Sequence, residues 1–75
     1  MIVTATKEEG YLFIDSVSFP DGTTHSVHFS RHYGDRWYQG AVRDCYSVYL
    51  DDDDKELFLY RHRGLWIADD EPPQK

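Results

Sequence analysis

The sequence predicts an all-β fold: a small antiparallel barrel or two-sheet meander of six or seven short strands, with two repeated three-stranded halves as a further expectation. Three observations point there. Apolar residues alternate with polar ones in short runs, as in Val27 and Phe29 set against Ser26, His28 and Ser30, which is the period of a half-buried strand. Turn-forming residues punctuate the chain at close intervals, at Gly10, at Pro20-Asp21-Gly22-Thr23 and at the acidic run Asp51 to Asp54. A pattern also recurs: VHFSRHYGDRWY over Val27 to Tyr38 and LFLYRHRGLWI over Leu57 to Ile67 both run from apolar alternation through Arg-His-x-Gly to Trp. Aligning the halves sets Ser16-Val17 on Ser47-Val48, Asp21 on Asp52, Arg31-His32 on Arg61-His62, Gly34 on Gly64 and Trp37 on Trp66. The two length differences fall at predicted turns, where insertions are tolerated.

Taken in order, Ile2 to Thr6 is a short β-prone run, and Lys7 to Gly10 reads as a turn. Tyr11 to Phe19 is a long strand with a phase problem. Leu12 and Ile14 share one face, whereas Val17 and Phe19 fall on the other, so a β-bulge near Asp15-Ser16 is needed to bring both pairs inward. Pro20 to Thr23 is a turn, and Thr24 to Ser30 a half-buried strand. Arg31 to Arg36 reads as a first basic turn, leading into a strand from Trp37 to Arg43 with Gly40 as a bulge or close approach. Residues 41–50 fit helical spacing at Val42, Cys45, Tyr46, Tyr49 and Leu50. Their β-forming composition, and the alignment with Ser16 to Phe19, favour a strand. Leu57 to His62 and Leu65 to Ala68 form the final hairpin around Arg61-His62-Arg63-Gly64. The expected inward set is Val17, Phe19, Val27, Phe29, Trp37, Val48, Leu50, Leu57, Leu59 and Trp66.

Seventy-five residues make one domain, expected over 1–70, with a frayed polar tail over 71–75. A chain this short buries a modest core. One cysteine, Cys45, rules out an intrachain disulfide and suits a reducing, cytoplasmic setting. MIVTATKEEG has neither the basic nor the apolar stretch of a secretory leader, and no apolar run reaches membrane-spanning length. The formal charge is −6; residues 1–50 hold four basic and six acidic groups, residues 51–75 four and eight. Such a chain is repelled by phosphate backbones and anionic membranes and attracted to basic protein surfaces.

The acidic run Asp51, Asp52, Asp53 and Asp54, with Glu56, can imitate nucleic-acid phosphates on a basic groove, or simply blunt a sheet edge. It lacks the alternating ligands and central glycine of a calcium loop. Arg31, His32, Arg61, His62 and Arg63 supply forks and donors suited to a phosphate or carboxylate, and equally to pairing with nearby aspartates. His25, His28 and His32 lack metal-ligand geometry on a strand, and Cys45 has no flanking oxyanion signature. No metal, cofactor or catalytic set is expected. Twelve Phe, Trp and Tyr residues are the strongest hint of a partner. Tyr49, Phe58 and Tyr60 fall on outward positions beside the acidic run and are expected at an interface, with a target or with a second copy in a homodimer.

In size and charge the chain resembles the small inhibitors and nucleic-acid mimics encoded by phages and mobile elements. The expectation is a non-enzymatic binding or inhibitor protein that docks on a larger nucleic-acid-processing protein. The alternative is a single-stranded nucleic-acid-binding barrel using Trp37, Tyr38, Arg31, Arg36, Arg61 and Arg63, against which the net charge weighs.

Overall fold

The structure, a computed structural model, describes residues 1–73 apart from the side chains of Asp53 and Asp54. The last two residues of the expected tail, 74 and 75, lie outside the described residues. Six strands follow one another: β1 (Ile2–Glu8), β2 (Tyr11–Ser18), β3 (Thr24–Tyr38), β4 (Ala41–Leu50), β5 (Asp53–His62) and β6 (Leu65–Asp69). Each pairs antiparallel with the next, giving a meander in the order β1-β2-β3-β4-β5-β6 that curls into a half-barrel. The described residues contain no helix, so 41–50 is strand, and none could cross a membrane as one.

The bulge that the sequence demands is present. Thr4 pairs with Ser16 and Ala5 with Ile14, leaving Asp15 as the extra residue. The bulge resets the phase, so Leu12, Ile14, Val17 and Phe19 all pack inward. The Pro20 turn closes on itself, with Asp21 accepting hydrogen bonds from the Thr23 N–H and hydroxyl.

The middle of the chain corrects the sequence reading. Arg31 to Arg36 is not a turn. It lies within β3, a single strand of 15 residues. The glycines on either side of Trp37 have exchanged their expected roles. Gly34, at φ 97°, serves a bulge between His32 and Gly34 that leaves Tyr33 without a partner in β4. Gly40, expected as a bulge, forms the β3–β4 hairpin with Gln39. Their φ angles of 47° and 82° are the pair of left-handed values that a type I′ turn requires. The duplicated Arg-His-x-Gly segments therefore differ: in the second, the chain does reverse, at Arg63-Gly64 between β5 and β6.

A further bulge moves Phe29. Val27 opposes Leu50 while Phe29 opposes Tyr49, so His28 is the extra residue and Phe29 passes to the other face. Expected inside, it is 52% exposed, and Trp37 at the strand end is exposed as well.

The inner face of the curl gathers Ile14, Val17, Tyr46, Val48, Leu50 and Leu59, with Val3, Phe19, Val27, Leu57, Trp66 and Ala68 packed against them. Complete burial of side chains such as Val17, Val48 and Leu59 contributes about 1.5–3 kcal/mol each. The outer face of β4 and β5 holds a second cluster of Cys45, Phe58 and Tyr60, covered by Tyr33, Tyr38 and Ile67. Phe58 and Tyr60 lie on the face opposite Leu57 and Leu59, as alternation requires. They are nevertheless 3% and 1% exposed, which removes them from the surface where the sequence placed them.

Candidate functional site

The residues singled out in the sequence divide between two surfaces. The first surrounds the acidic β4–β5 turn. Phe29, Tyr49 and Glu56 stand side by side across β3, β4 and β5, and cross-strand partners share a face. The Phe29 and Tyr49 rings lie 6.4 Å apart, and Tyr49 is 37% exposed. Glu56 accepts a hydrogen bond from Ser47, a hydroxyl buried in the sheet.

The turn itself is tied to β3. The Asp51 N–H donates to the Ser26 carbonyl at 2.9 Å, and the Asp52 carboxylate meets His25 Nδ1 at 2.8 Å. His25 is in turn held edge-on by Phe19 at 5.5 Å. His28, the bulged residue, brings Nδ1 to 3.7 Å from Asp51. Thus Asp51, Asp52, Glu56, Phe29 and Tyr49 form one exposed aromatic pair with a carboxylate rim. The partner-binding assignment of Asp53 and Asp54 falls on side chains outside the described residues.

The second surface is a cleft of about 590 Å³. It exists because β2 and β3 pair only where Ser16 to Ser18 meet Ser26 to Thr24. Beyond that ladder the strands part, spanned by one bond from the Ile14 N–H to Ser30 Oγ at 3.1 Å. Its lining comes from the β1–β2 hairpin, with Lys7 and Leu12 on the inner face, and from β3, β4 and β5, with His32, Asp44, Tyr46 and Arg61 on that same face. Of the basic residues singled out in the sequence, His32 and Arg61 meet here at Asp44, whereas Arg31, opposite Ser47, carries its guanidinium to the other face of the sheet, over the Tyr33 ring. His62 and Arg63 sit at the β5–β6 hairpin and do not line it.

Asp44 is the hub of the inner wall. Its carboxylate meets His32 Nε2 at 2.5 Å, the Tyr46 hydroxyl at 3.2 Å and Arg61 Nη2 at 3.4 Å. Burial and then the neighbouring Asp44 carboxylate raise the Tyr46 phenol above its ordinary pKa, so the phenol stays a donor. The Arg61 guanidinium lies over the rings of Trp66 at 5.3 Å and Tyr46 at 5.9 Å, which fixes its position. No group of three or more side chains able to hold a metal ion occurs among the described residues.

Two contributors were missed from sequence. Phe29 was hidden by the His28 bulge, which alternation does not reveal. Lys7 flanks the β1–β2 hairpin, and nothing local says that this hairpin faces β4 and β5 across a gap. No protein-family model, curated protein or solved structure matches the chain.

Proposed function

We propose that this protein is a non-enzymatic binding module that docks on the basic surface of a larger, nucleic-acid-processing protein. The observation that carries this reading is the exposed Phe29–Tyr49 pair rimmed by Asp51, Asp52 and Glu56. Interfaces concentrate their affinity in a few central aromatics, while rim charges set partner choice and association rate. The rim here is anionic, in a chain of formal charge −6. Its complement is therefore a cationic surface, and the surface a protein presents to phosphate has that character. Docking would place the Asp51 and Asp52 carboxylates where phosphates otherwise sit and so occlude the site.

The test is kinetic. The partner is captured from lysate, identified, repurified and measured against wild type, Phe29→Ala/Tyr49→Ala and Asp51→Asn/Asp52→Asn. The aromatic pair should accelerate dissociation at least about tenfold. The Asp changes should slow association at low salt and matter little at high salt. Duplex DNA should compete with the module for the partner. A folded aromatic double mutant that binds as wild type does, or a complex indifferent to DNA, removes this reading.

A further inference from the structure

Three of the chain's four histidines lie on β3, and each meets an aspartate from β4 or from the turn that follows it. His32 meets Asp44 on the inner face. The other two pairs fall on the acidic β4–β5 turn. Phe19 lies edge-on to the His25 ring, and both oxygens of Asp52 reach its Nδ1, at 2.8 and 3.0 Å. His28, next to Phe29 in the chain, brings Nδ1 to 3.7 Å from Asp51, and its side chain is 77% exposed. Asp51 and Asp52 thus each stand beside a histidine, whereas Glu56 stands beside the Ser47 hydroxyl. The other charged group near His25 is Asp21 of the β2–β3 turn. The Thr23 hydroxyl and N–H hold the Asp21 carboxyl below its ordinary range, and His25 adds a smaller electrostatic share. Val17, opposite His25 in the ladder, and the Phe19 ring bring no charge.

Histidine is the side chain whose charge ordinarily changes between pH 5 and pH 8. Lysine, arginine and ordinary carboxylates keep theirs between pH 5.5 and pH 7.5. Across that window the charge around the turn therefore changes through its histidines. Against an ionised carboxylate, Nδ1 of a neutral ring is the N–H donor, and Nε2 is left to take up a proton. Protonation of His25 and His28 sets one positive charge beside Asp52 and one beside Asp51. The three described carboxylates, Asp51, Asp52 and Glu56, are then reduced to a net charge of one. We propose that His25 and His28 gate the acidic surface by pH, leaving it attractive to a cationic partner near neutrality and much less so near pH 5.5. The inference rests on the docking reading above and adds its regulation. His32 and Asp44 supply an internal comparison: they form the same kind of pair, but beside Tyr46 on the inner face and away from the turn.

Titration calorimetry at low salt tests the gate with dodecalysine, a cationic probe whose charge is constant between pH 5.5 and pH 7.5. Wild type should bind at least about fivefold more weakly at pH 5.5 than at pH 7.5. His25→Asn/His28→Asn keeps a donor near each Nδ1 position and removes the titrating ring. It should bind as wild type does at pH 7.5 and lose most of the change with pH. His28→Asn alone, at an exposed position that leaves the His25–Phe19 contact intact, should lose part of the change, and it decides the matter if the double variant unfolds. His32→Gln, at the comparison pair, should keep the wild-type change in full. The gate is overturned if wild type binds equally at the two pH values, if the folded His25 and His28 variants respond as wild type does, or if His32→Gln abolishes the response. Asp51→Asn/Asp52→Asn separates the gate from the docking reading. If that variant binds dodecalysine at pH 7.5 as wild type does, the turn is not a cation-docking surface and both inferences fail. If it binds more weakly while wild type ignores pH, only the gate is lost.

Discussion

The two faces of β4 and β5 are both dry, but they exclude water by different means. The inner face is closed by the curl of the sheet: aliphatic side chains from all six strands meet there, including Val3, Val17, Val27, Val48, Leu59 and Ala68. Among the described residues, no second layer of secondary structure covers the outer face. It is roofed by rings that lie across it: Tyr33 packs edge-on against Phe58 at 5.5 Å, and Tyr38 stacks flat on Tyr60 at 4.0 Å. Both roofing residues come from the far half of β3, and Tyr33 reaches its place because the bulge at Gly34 throws it out of the ladder. An aromatic ring covers more sheet than an aliphatic chain does and forms specific pairs. A strand that is apolar on both faces therefore need not announce a partner, even in a chain of seventy-five residues. The proposed partner surface lies on another part of the same face, where Phe29 and Tyr49 stand exposed.

The largest effects should separate or equate these faces. Leu59→Ala and Phe58→Ala each remove a fully dry side chain, one inside the curl and one beneath the rings. Each should cost about 2–5 kcal/mol in urea unfolding. A cost below about 1 kcal/mol for Phe58→Ala, with Leu59→Ala in that range, would mean that the roof lifts easily and that the outer face is a surface after all.

A smaller effect concerns the glycines that allow the roof. Gly34→Ala and Gly40→Ala both force a side chain into a left-handed backbone, at φ 97° and 82°, which costs about 1–2 kcal/mol. Around Gly40 a Cβ meets nothing, whereas at Gly34 it would lie 3.3 Å from Arg36 Nη1, a mobile side-chain end. The energies should therefore be similar. The spectra should not: only Gly34→Ala should alter the near-ultraviolet circular dichroism, because only Gly34 positions Tyr33 over Phe58. Equal spectra for the two variants would break the link between bulge and roof.

Those glycines also mark what the sequence does and does not disclose. Alternation, Pro20-Asp21-Gly22 and the phase conflict at Asp15 identified the strand class, the β2–β3 turn and the first bulge, because each is a local constraint. Whether Gly34 or Gly40 reverses the chain is not local. Both sites use a positive φ, and the choice depends on which register lets Cys45 pair opposite Gly34. The same limit applies to the candidate surfaces. Asp51, Asp52 and Glu56 were visible as charge, and Tyr49 as an outward ring. Phe29 joined them only through the bulge at His28, and Phe58 and Tyr60 left them only because β3 runs on long enough to cover them.

The smallest expected effect lies at the edge of the roof, where Tyr38 donates to Asp69 Oδ2 at 2.7 Å. The bond holds the Asp69 carboxyl below its ordinary 3.8, helped by the Glu71 N–H, and lifts the Tyr38 phenol above 10.0, with burial adding to the rise. A depressed acid stabilises the fold above its unfolded pKa, and that contribution is lost as pH falls through the folded value. A raised phenol stabilises the fold below its unfolded pKa, and that contribution is lost as pH rises through the folded one. Tyr38→Phe should thus cost no more than about 1 kcal/mol at neutral pH, since the pair is partly solvated. The gap from wild type should close below pH 3.8 as Asp69 protonates. It should also close in alkali, where wild type must place a phenolate beside a carboxylate. Beneath the roof, burial pushes Cys45 up to about 11 and Tyr60 up to about 12, so both proteins should lose stability as pH rises towards those values. Urea unfolding of both proteins from pH 3 to pH 11 reads all three regimes. A Tyr38→Phe deficit that stays constant across that range would mean that the hydroxyl contributes packing alone, and that the ring rather than its bond to Asp69 holds the roof's edge in place.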